Sequence, residues 1–174
     1  LLFVGADPAI AAQSPGNDYL DGGAGMDTYV FKAGFGTDHI ADSGVGSNIV
    51  QFNFNFVGSG IVLGLGSLKL GFANGDELHI DGFDPNDPLN TCSISTFKFA
   101  DRTLSLQQVL DIGMDVVGTE NADVIQGTAI SERITALAGD DIILAGGGND
   151  VVDAGSGNDY VDGGDGNDTL NGGE

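Results

Sequence analysis

Apolar residues recur every nine positions along the last third of the chain. Counting in nines from Ile125 to Leu170, every position reached is isoleucine, valine or leucine. Two residues before each of these stands an acid, in the order Asp123, Glu132, Asp141, Asp150, Asp159 and Asp168. Each repeat predicts a six-residue turn followed by a three-residue strand, and the strand's apolar residue points inward.

Two more copies of the pattern stand near the start of the chain. Ser14–Leu20 runs into Gly22–Val30, and Asp18 and Asp27 are again nine residues apart. The repeats predict a short block at residues 1–30 and a longer one at 116–174. Because the chain starts at Leu1 without methionine and ends inside a repeat, we expect it to be part of a longer protein.

Residues 31–115 carry a different pattern. Gln51–Phe56 alternates between polar and aromatic residues, which predicts a strand with one buried face. Ser105 and Gln108 have the spacing of a capping box, followed by a short apolar helix face that stops near Gly113. Further short strands are predicted at Ile61–Leu63, Leu68–Phe72, Leu78–Ile80 and Phe97–Phe99. The middle region is therefore predicted to be a β-rich unit with one helix.

The charge balance limits the kinds of partner that the chain can bind. The 174 residues include 30 glycines, 26 Asp+Glu and only 5 Lys+Arg, for a net charge of −21. Nucleic-acid binding needs basic residues and is excluded, and anionic membranes should repel the chain. No apolar run reaches the roughly 18 residues of a membrane span. So many carboxylates indicate a hard divalent cation as partner.

Cysteine and histidine add little metal chemistry. Cys92 is the single cysteine, so no disulfide can form within the chain. Bound metal could supply the stabilisation that disulfides give other secreted domains. Cys92, His39 and His79 are scattered along the chain, which argues against zinc.

The repeat has the chemistry of a calcium turn. Glycines permit positive φ angles and let carbonyl oxygens face an ion, and the aspartate adds an anionic oxygen. If two repeats make one coil, turns 18 residues apart stack at about one strand spacing, ~4.8 Å. An ion between two such turns can take ligands from both. The acids then form row A (Asp123, Asp141 and Asp159) and row B (Glu132, Asp150 and Asp168).

These residues closely resemble the RTX, or haemolysin-type, calcium-binding repeats. The resemblance is carried by Leu137–Gly173 and Asn17–Val30, and in part by Gly118–Ala136. Asp76–Phe83 together with Phe97–Asp101 resembles the haemolysin-type calcium-binding related region that often accompanies such arrays.

The resemblance implies an all-β fold, in which a parallel β-roll flanks the small β-rich unit with its short helix. It also implies several bound Ca²⁺ ions, export by a type I secretion apparatus, and an extracellular or cell-surface location. The implied ligands are the carboxylates of Asp141, Asp150, Asp159 and Asp168 and the carbonyls of Gly139, Gly146, Gly148, Gly155, Gly157, Gly164 and Gly166. Asp123, Asp18 and Asp27 are further candidates, with an array end that binds no calcium as the alternative reading.

Some positions depart from the repeat pattern, and some acids are better interpreted as solvated surface charge than as ligands. Gly127–Thr135 has Thr128, Ala129 and Ile130 where glycines are wanted, and Glu132 replaces aspartate, so we expect a coil there without a full calcium site. Asp153 and Asp162 fall at outward strand positions and are read as solvated charge. A disordered glycine-rich linker is disfavoured because a linker has no reason to keep apolar residues in phase.

The sequence holds no signature of an enzyme. His-Glu-x-x-His, Gly-x-Ser-x-Gly and a phosphate-binding loop are all absent. Three functions stay open: a calcium-driven folding module, an adhesive stalk whose middle unit contacts a glycan through Gln51–Phe56, and the C-terminal part of a secreted hydrolase or toxin.

Overall fold

The computed structural model describes residues 2–4, 10–11, 16–42, 48–56, 62–64 and 67–174. Ser14, Pro15 and Ile61, which the sequence patterns include, lie outside these ranges. The chain divides into two compact units, unit 1 (Leu1–Val109) and unit 2 (Leu110–Glu174). The boundaries at residues 30 and 115 stay predictions.

Unit 1 contains two mainly parallel sheets. In sheet order, the first holds β1 (Leu2–Val4), β3 (Tyr19–Asp21), β5 (Thr37–Ile40), β9 (Glu77–Ile80), β8 (Leu68–Gly71) and β7 (Val62–Gly64). The second holds β11 (Thr103–Ser105), β10 (Ile94–Lys98), β6 (Asn48–Phe52), β4 (Thr28–Phe31) and β2 (Ile10–Ala11). Strands β7, β8 and β9 pair antiparallel, as do β10 and β11, and the other pairs are parallel.

Aromatic rings fill the core of unit 1. Phe31, Phe52 and Phe97 are fully buried, and the Phe52 and Phe99 rings stack with centroids 4.8 Å apart. The predicted strand Gln51–Phe56 is only partly correct, because β6 ends at Phe52. Its parallel neighbour β4 ends at Phe31, so the ladder closes with the Asn53 N–H donating to the Phe31 carbonyl at 3.1 Å.

The described residues also form two short helices, α1 (Pro88–Thr91) and α2 (Leu106–Leu110). The capping box before α2 is confirmed. The Gln108 N–H donates to Ser105 Oγ at 3.2 Å, and the Ser105 N–H donates to Gln108 Oε1 at 3.0 Å. The sequence did not predict α1, where proline enters the first turn.

Unit 2 is a parallel β-roll with one strand per repeat. One sheet holds β12 (Met114–Val117), β14 (Glu132–Thr135), β16 (Val151–Asp153) and β18 (Thr169–Asn171), and the other holds β13 (Val124–Thr128), β15 (Ile142–Gly146) and β17 (Tyr160–Asp162). Paired residues are 18 apart in every register, as in Ile143 with Val161. The predicted all-β fold with a parallel roll of two repeats per coil is confirmed.

The inward apolar positions form the core of unit 2. Ile125, Ile134, Ile143 and Val152 are buried, Val161 is half-buried, and Leu170 is 47% exposed. Leu170 lies on β18, which pairs only with β16 among the described strands, so its side chain is covered from one side. The sequence reading missed three buried alanines that fill the space beside each coil: Ala136, Ala145 and Ala154.

Candidate metal centre

Carboxylates in unit 2 bind the main chain of the preceding coil. The N–H of Asp123 donates to Asp141 Oδ1 at 2.8 Å, and the N–H of Asp141 donates to Asp159 Oδ1 at 2.9 Å. Row B repeats this, with Glu132 N–H to Asp150 Oδ1 at 2.7 Å and Asp150 N–H to Asp168 Oδ1 at 3.0 Å. We call these four bonds the inner ladder. They confirm the predicted rows and the 18-residue partner spacing.

Three of the four inner-ladder carboxylates have a second oxygen that makes no hydrogen bond within the described residues. Oδ2 of Asp141, Asp150 and Asp159 is buried and has no hydrogen-bond partner among the described residues. Asp141 and Asp150 as whole residues are only 1% exposed. Burying an ionised oxygen without a partner costs several kcal/mol unless a cation or proton compensates it. These oxygens therefore mark where a cation fits.

Backbone carbonyls of one coil lie close to the turn glycines of the next coil. The seven predicted ligand glycines all have positive φ, at Gly139, Gly146, Gly148, Gly155, Gly157, Gly164 and Gly166. At Gly166 (φ 142°), a Cβ atom would overlap the carbonyl oxygen of Gly148 in the coil before. Glycine is thus needed both for the turn and for the room that this carbonyl takes.

The donor set suits a hard ion of high coordination number. No group of three or more His, Cys, Asp or Glu side chains converges in the part of the chain that the structure describes. An ion between two turns must therefore take most of its ligands from carbonyls, with carboxylate oxygens from the inner ladder. Calcium accepts six to eight oxygen ligands of this mixed kind, whereas zinc prefers nitrogen and sulfur. The residues present fit calcium.

A threonine donates hydrogen bonds to the first acid of each row. Thr119 donates to Asp123 Oδ2 from its N–H at 2.6 Å and from its hydroxyl at 3.0 Å. Thr128 makes the same two kinds of bond to Glu132, with its N–H at 3.2 Å from Oε2 and its hydroxyl on Oε1. Both oxygens of Glu132 are thereby bound by protein donors. The predicted coil at residues 127–135 is present, and its lack of a full site remains a prediction.

Burial and neighbouring acids raise the pKa values of carboxyls in row B. Desolvation, and secondarily the charge of Asp168, raises the pKa of Asp150 above its ordinary value. Desolvation also raises the pKa of Glu132, against the lowering effect of the Thr128 hydrogen bonds. In both cases the metal-free fold disfavours the ionised form, and a bound cation would offset that penalty.

Unit 1 repeats the inner-ladder geometry at Asp38, a residue that the sequence reading missed. The Asp18 N–H donates to Asp38 Oδ1 at 2.9 Å, and Asp38 Oδ2 is buried without a partner among the described residues. Desolvation, with the charges of Asp18 and Asp76, raises the Asp38 pKa to about 6. Gly34–Ile40 keeps the repeat pattern, but its acid Asp38 stands eleven residues after Asp27. Counting in nines therefore passes over Asp38.

The two predicted N-terminal candidates differ in their surroundings. Asp18 and Asp27 are both buried, at 5% and 4% exposure. Asp27 Oδ2 has no hydrogen-bond partner in the described ranges, and desolvation, with the charges of Asp42 and Asp21, raises the Asp27 pKa. The Asp27 N–H donates to Asn48 Oδ1 at 2.9 Å, so an amide stands where unit 2 has a carboxylate.

Stacked glycine turns with carboxylates paired 18 residues apart define the class of calcium-binding parallel β-rolls. A family model described as the RTX calcium-binding nonapeptide repeat matches four segments, residues 14–40, 117–152, 126–161 and 146–174. The repeats at residues 14–40 and 117–174 belong to this RTX family. No curated protein matches the sequence. The family model does not cover residues 41–116, so the calcium-binding related region stays a prediction.

The family assignment settles the coarse chemistry. The chain contains a calcium-binding β-roll segment, and this repeat fold is structural and non-catalytic. Within the described residues, neither helix is long and apolar enough to cross a membrane.

Proposed function

We propose that this chain is a calcium-driven folding module of a secreted protein, built to stay loose at low calcium and to fold at extracellular calcium. The observation that carries the proposal is the buried, unpartnered Oδ2 of Asp141, Asp150 and Asp159. In a chain of net charge −21, these oxygens repel one another until a cation binds. Binding free energy then becomes folding free energy.

The proposed ligands are those that the repeats point to. Asp141, Asp150, Asp159 and Asp168 supply carboxylate oxygens, and the turn glycines supply carbonyls. In unit 1 the proposed sites lie at Asp18, Asp38 and Asp27. Extracellular calcium modules bind at about 10⁻⁴–10⁻³ M, which matches a switch between a low-calcium cytosol and the exterior. Such a switch suits type I export, because an unfolded chain passes an exporter more easily than a folded one.

The alternative that this is the C-terminal part of a secreted hydrolase or toxin concerns a longer parent protein, and no observation on these residues bears on it. The adhesive-stalk alternative rested on an exposed strand at Gln51–Phe56. Because β6 ends at Phe52, and the Phe54 and Phe56 rings pack within 6.4 Å of Phe99 by centroid, no observation favours a glycan face there. The calcium-driven folding module is therefore the function that the observations favour.

A calcium titration followed by far-ultraviolet circular dichroism tests the proposal. The chain is stripped of metal and titrated from excess chelator to about 10 mM Ca²⁺. We expect a cooperative gain of β signal, with a much weaker response to Mg²⁺, which requires tighter octahedral geometry. A full β signal in chelator that calcium leaves unchanged overturns the proposal.

A further inference from the structure

A second set of side chains runs along the outside of the same turns. Each acid of unit 2 is preceded by one such residue, which is Ser131, Asn149 or Asn167 in row B and Ala122, Asp140 or Asn158 in row A. All of them except the half-buried Ser131 are exposed, whereas the acids that follow are buried or half-buried. Their exposure places these outer residues outside the enclosed space of the inner carboxylates.

The outer side chains accept main-chain hydrogen bonds from the next coil. The Asn149 N–H donates to Ser131 Oγ at 3.0 Å, and the Asn167 N–H donates to Asn149 Oδ1 at 2.9 Å. In row A the Asn158 N–H donates to Asp140 Oδ1 at 2.9 Å. Each bond spans 18 residues. We call these three bonds the outer ladder.

The outer ladder runs in the opposite direction to the inner one. In the inner ladder the earlier coil donates its N–H to a carboxylate of the later coil, as Asp150 does to Asp168. In the outer ladder the later coil donates to a side chain of the earlier coil, as Asn167 does to Asn149. Two neighbouring residues thus tie the same two coils from both sides, which fixes both the gap between the turns and their relative rotation.

That gap decides how well an ion is held. A calcium ion between two turns takes oxygens from both, and its ligand distances span only 2.3–2.6 Å. A turn that is already spaced correctly loses less conformational freedom when the ion binds. The outer ladder needs no metal, because its acceptors are satisfied by main-chain N–H groups alone.

We propose that the residue before each ligand aspartate, above all Asn149 and Asp140, is a positioning residue that presets the spacing of the calcium sites. This inference rests on the proposed calcium function and adds a second determinant of affinity that does not touch the ion. The required property is an oxygen acceptor, since serine, asparagine and aspartate all serve. Charge is not required, because the acceptors of row B are neutral.

Row A contains a natural gap in this ladder. Ala122 occupies the outer position of the first coil and has no side-chain acceptor for the Asp140 N–H. The calcium site between the turns of Asp123 and Asp141 therefore has its inner bond but no outer one. This site offers a test by gain of function, which avoids the ambiguity of a variant that fails to fold.

The loss test uses the whole chain with Asn149→Ala, and calcium affinity is measured by isothermal titration calorimetry after metal removal. Loss of one neutral hydrogen bond should weaken calcium binding about three- to tenfold with stoichiometry unchanged. Asn149→Ser should restore the affinity, because Ser131 already fills this role in the coil before. Gln126→Ala, at an exposed strand position, is the matched control and should bind as the parent does.

The gain test is Ala122→Asn, which supplies the missing acceptor. We expect tighter calcium binding and a lower calcium midpoint in circular dichroism than in the parent chain. Asn149→Ala with parent-like affinity, failure of Asn149→Ser to restore it, or no gain from Ala122→Asn each overturns the positioning role. Absence of calcium binding by the parent chain would instead overturn the proposed function itself, so the two failures are distinguishable.

Discussion

The main-chain N–H of Glu132 donates to Oδ1 of Asp150 at 2.7 Å, across 18 residues of sequence. This bond orients the Asp150 carboxylate between two coils and turns its Oδ2 into a buried space with no hydrogen-bond partner among the described residues. One oxygen of this carboxylate thus accepts a structural hydrogen bond, and the other is the oxygen that we propose binds the ion. The same division holds at Asp141 and Asp159 in the other row.

Asp150→Asn should act in opposite directions with and without calcium. The amide can keep the Oδ1 bond, but it places an N–H₂ donor where the ion needs an oxygen. In calcium we expect the loss of about one bound ion and a lower free energy of unfolding by about 1–3 kcal/mol. In chelator, where we expect the parent to be largely unfolded, the variant should show at least as much β signal as the parent, because a buried charge is gone.

Calorimetric stoichiometry and thermal unfolding in calcium, and circular dichroism in chelator, check this prediction. Asp162→Asn is the control, since Asp162 is exposed and accepts only the Gly164 N–H at 3.1 Å, which asparagine can also accept. Equal calcium stoichiometry in Asp150→Asn and the parent would contradict Asp150 as a ligand.

Gly166→Ala should damage the last turn far more than Gly172→Ala. Gly166 has φ 142°, and a Cβ there would overlap the Gly148 carbonyl, whereas no atom lies within 4 Å of a Cβ at Gly172. We expect Gly166→Ala to lower the free energy of unfolding in calcium by about 1–3 kcal/mol. Thermal unfolding of both variants in calcium provides the comparison, and similar midpoints would refute the steric argument.

Thr128→Val should destabilise the calcium-bound chain without changing how many calcium ions it binds. The Thr128 hydroxyl binds Glu132, which is 1% exposed, so its removal leaves a buried carboxylate short of a donor. We expect a loss of about 1–3 kcal/mol in calcium, because a hydrogen bond to a buried group is lost while no ion ligand is removed. Urea unfolding in calcium measures the loss, with Thr128→Ser as the variant that keeps the hydroxyl. A lower calcium stoichiometry in Thr128→Val would instead make Thr128 part of an ion site.

Cys92 reports on unit 1 alone. It is the single cysteine of the chain, it is fully buried, and burial raises its pKa to about 11. At pH 8 roughly one thiol in a thousand is then ionised, so alkylation in calcium should be slow compared with that of unfolded protein. Following the rate of iodoacetamide labelling in calcium and in chelator shows whether unit 1 opens when metal is removed. Fast labelling in saturating calcium would contradict the buried placement.

Metal-free unit 1 should become less stable as pH rises from about 4 to about 6. Burial raises the Asp38 pKa from 3.8 to about 6, so the folded state holds this proton more tightly than the unfolded chain does. Stability from that proton is full below the unfolded pKa and is lost as pH rises through the folded one. Thermal unfolding of chelator-treated protein at each pH, followed by circular dichroism, should show this trend. Asp38→Asn should flatten it, and an unchanged pH trend in that variant would assign the effect to other carboxyls.

Much of the site followed from spacing alone. The nine-residue phase placed Asp141, Asp150 and Asp159 on the correct edges and fixed their partners. It missed Asp38, because two extra residues before Gly34 break the phase while the fold absorbs them in the turn. It overextended the strand at Gln51–Phe56, because alternation cannot reveal where a neighbouring strand ends.

The sequence by itself determined the repeat length, the inward apolar positions and the identity of the calcium-binding class, since each follows from local periodicity and turn chemistry. Only the tertiary structure decided which oxygen of each aspartate is free for an ion. That choice depends on main-chain N–H groups 18 residues away, which meet the carboxylate only when the coils stack. The same stacking assigned Asn149 to Asn167, a contact that no single repeat contains.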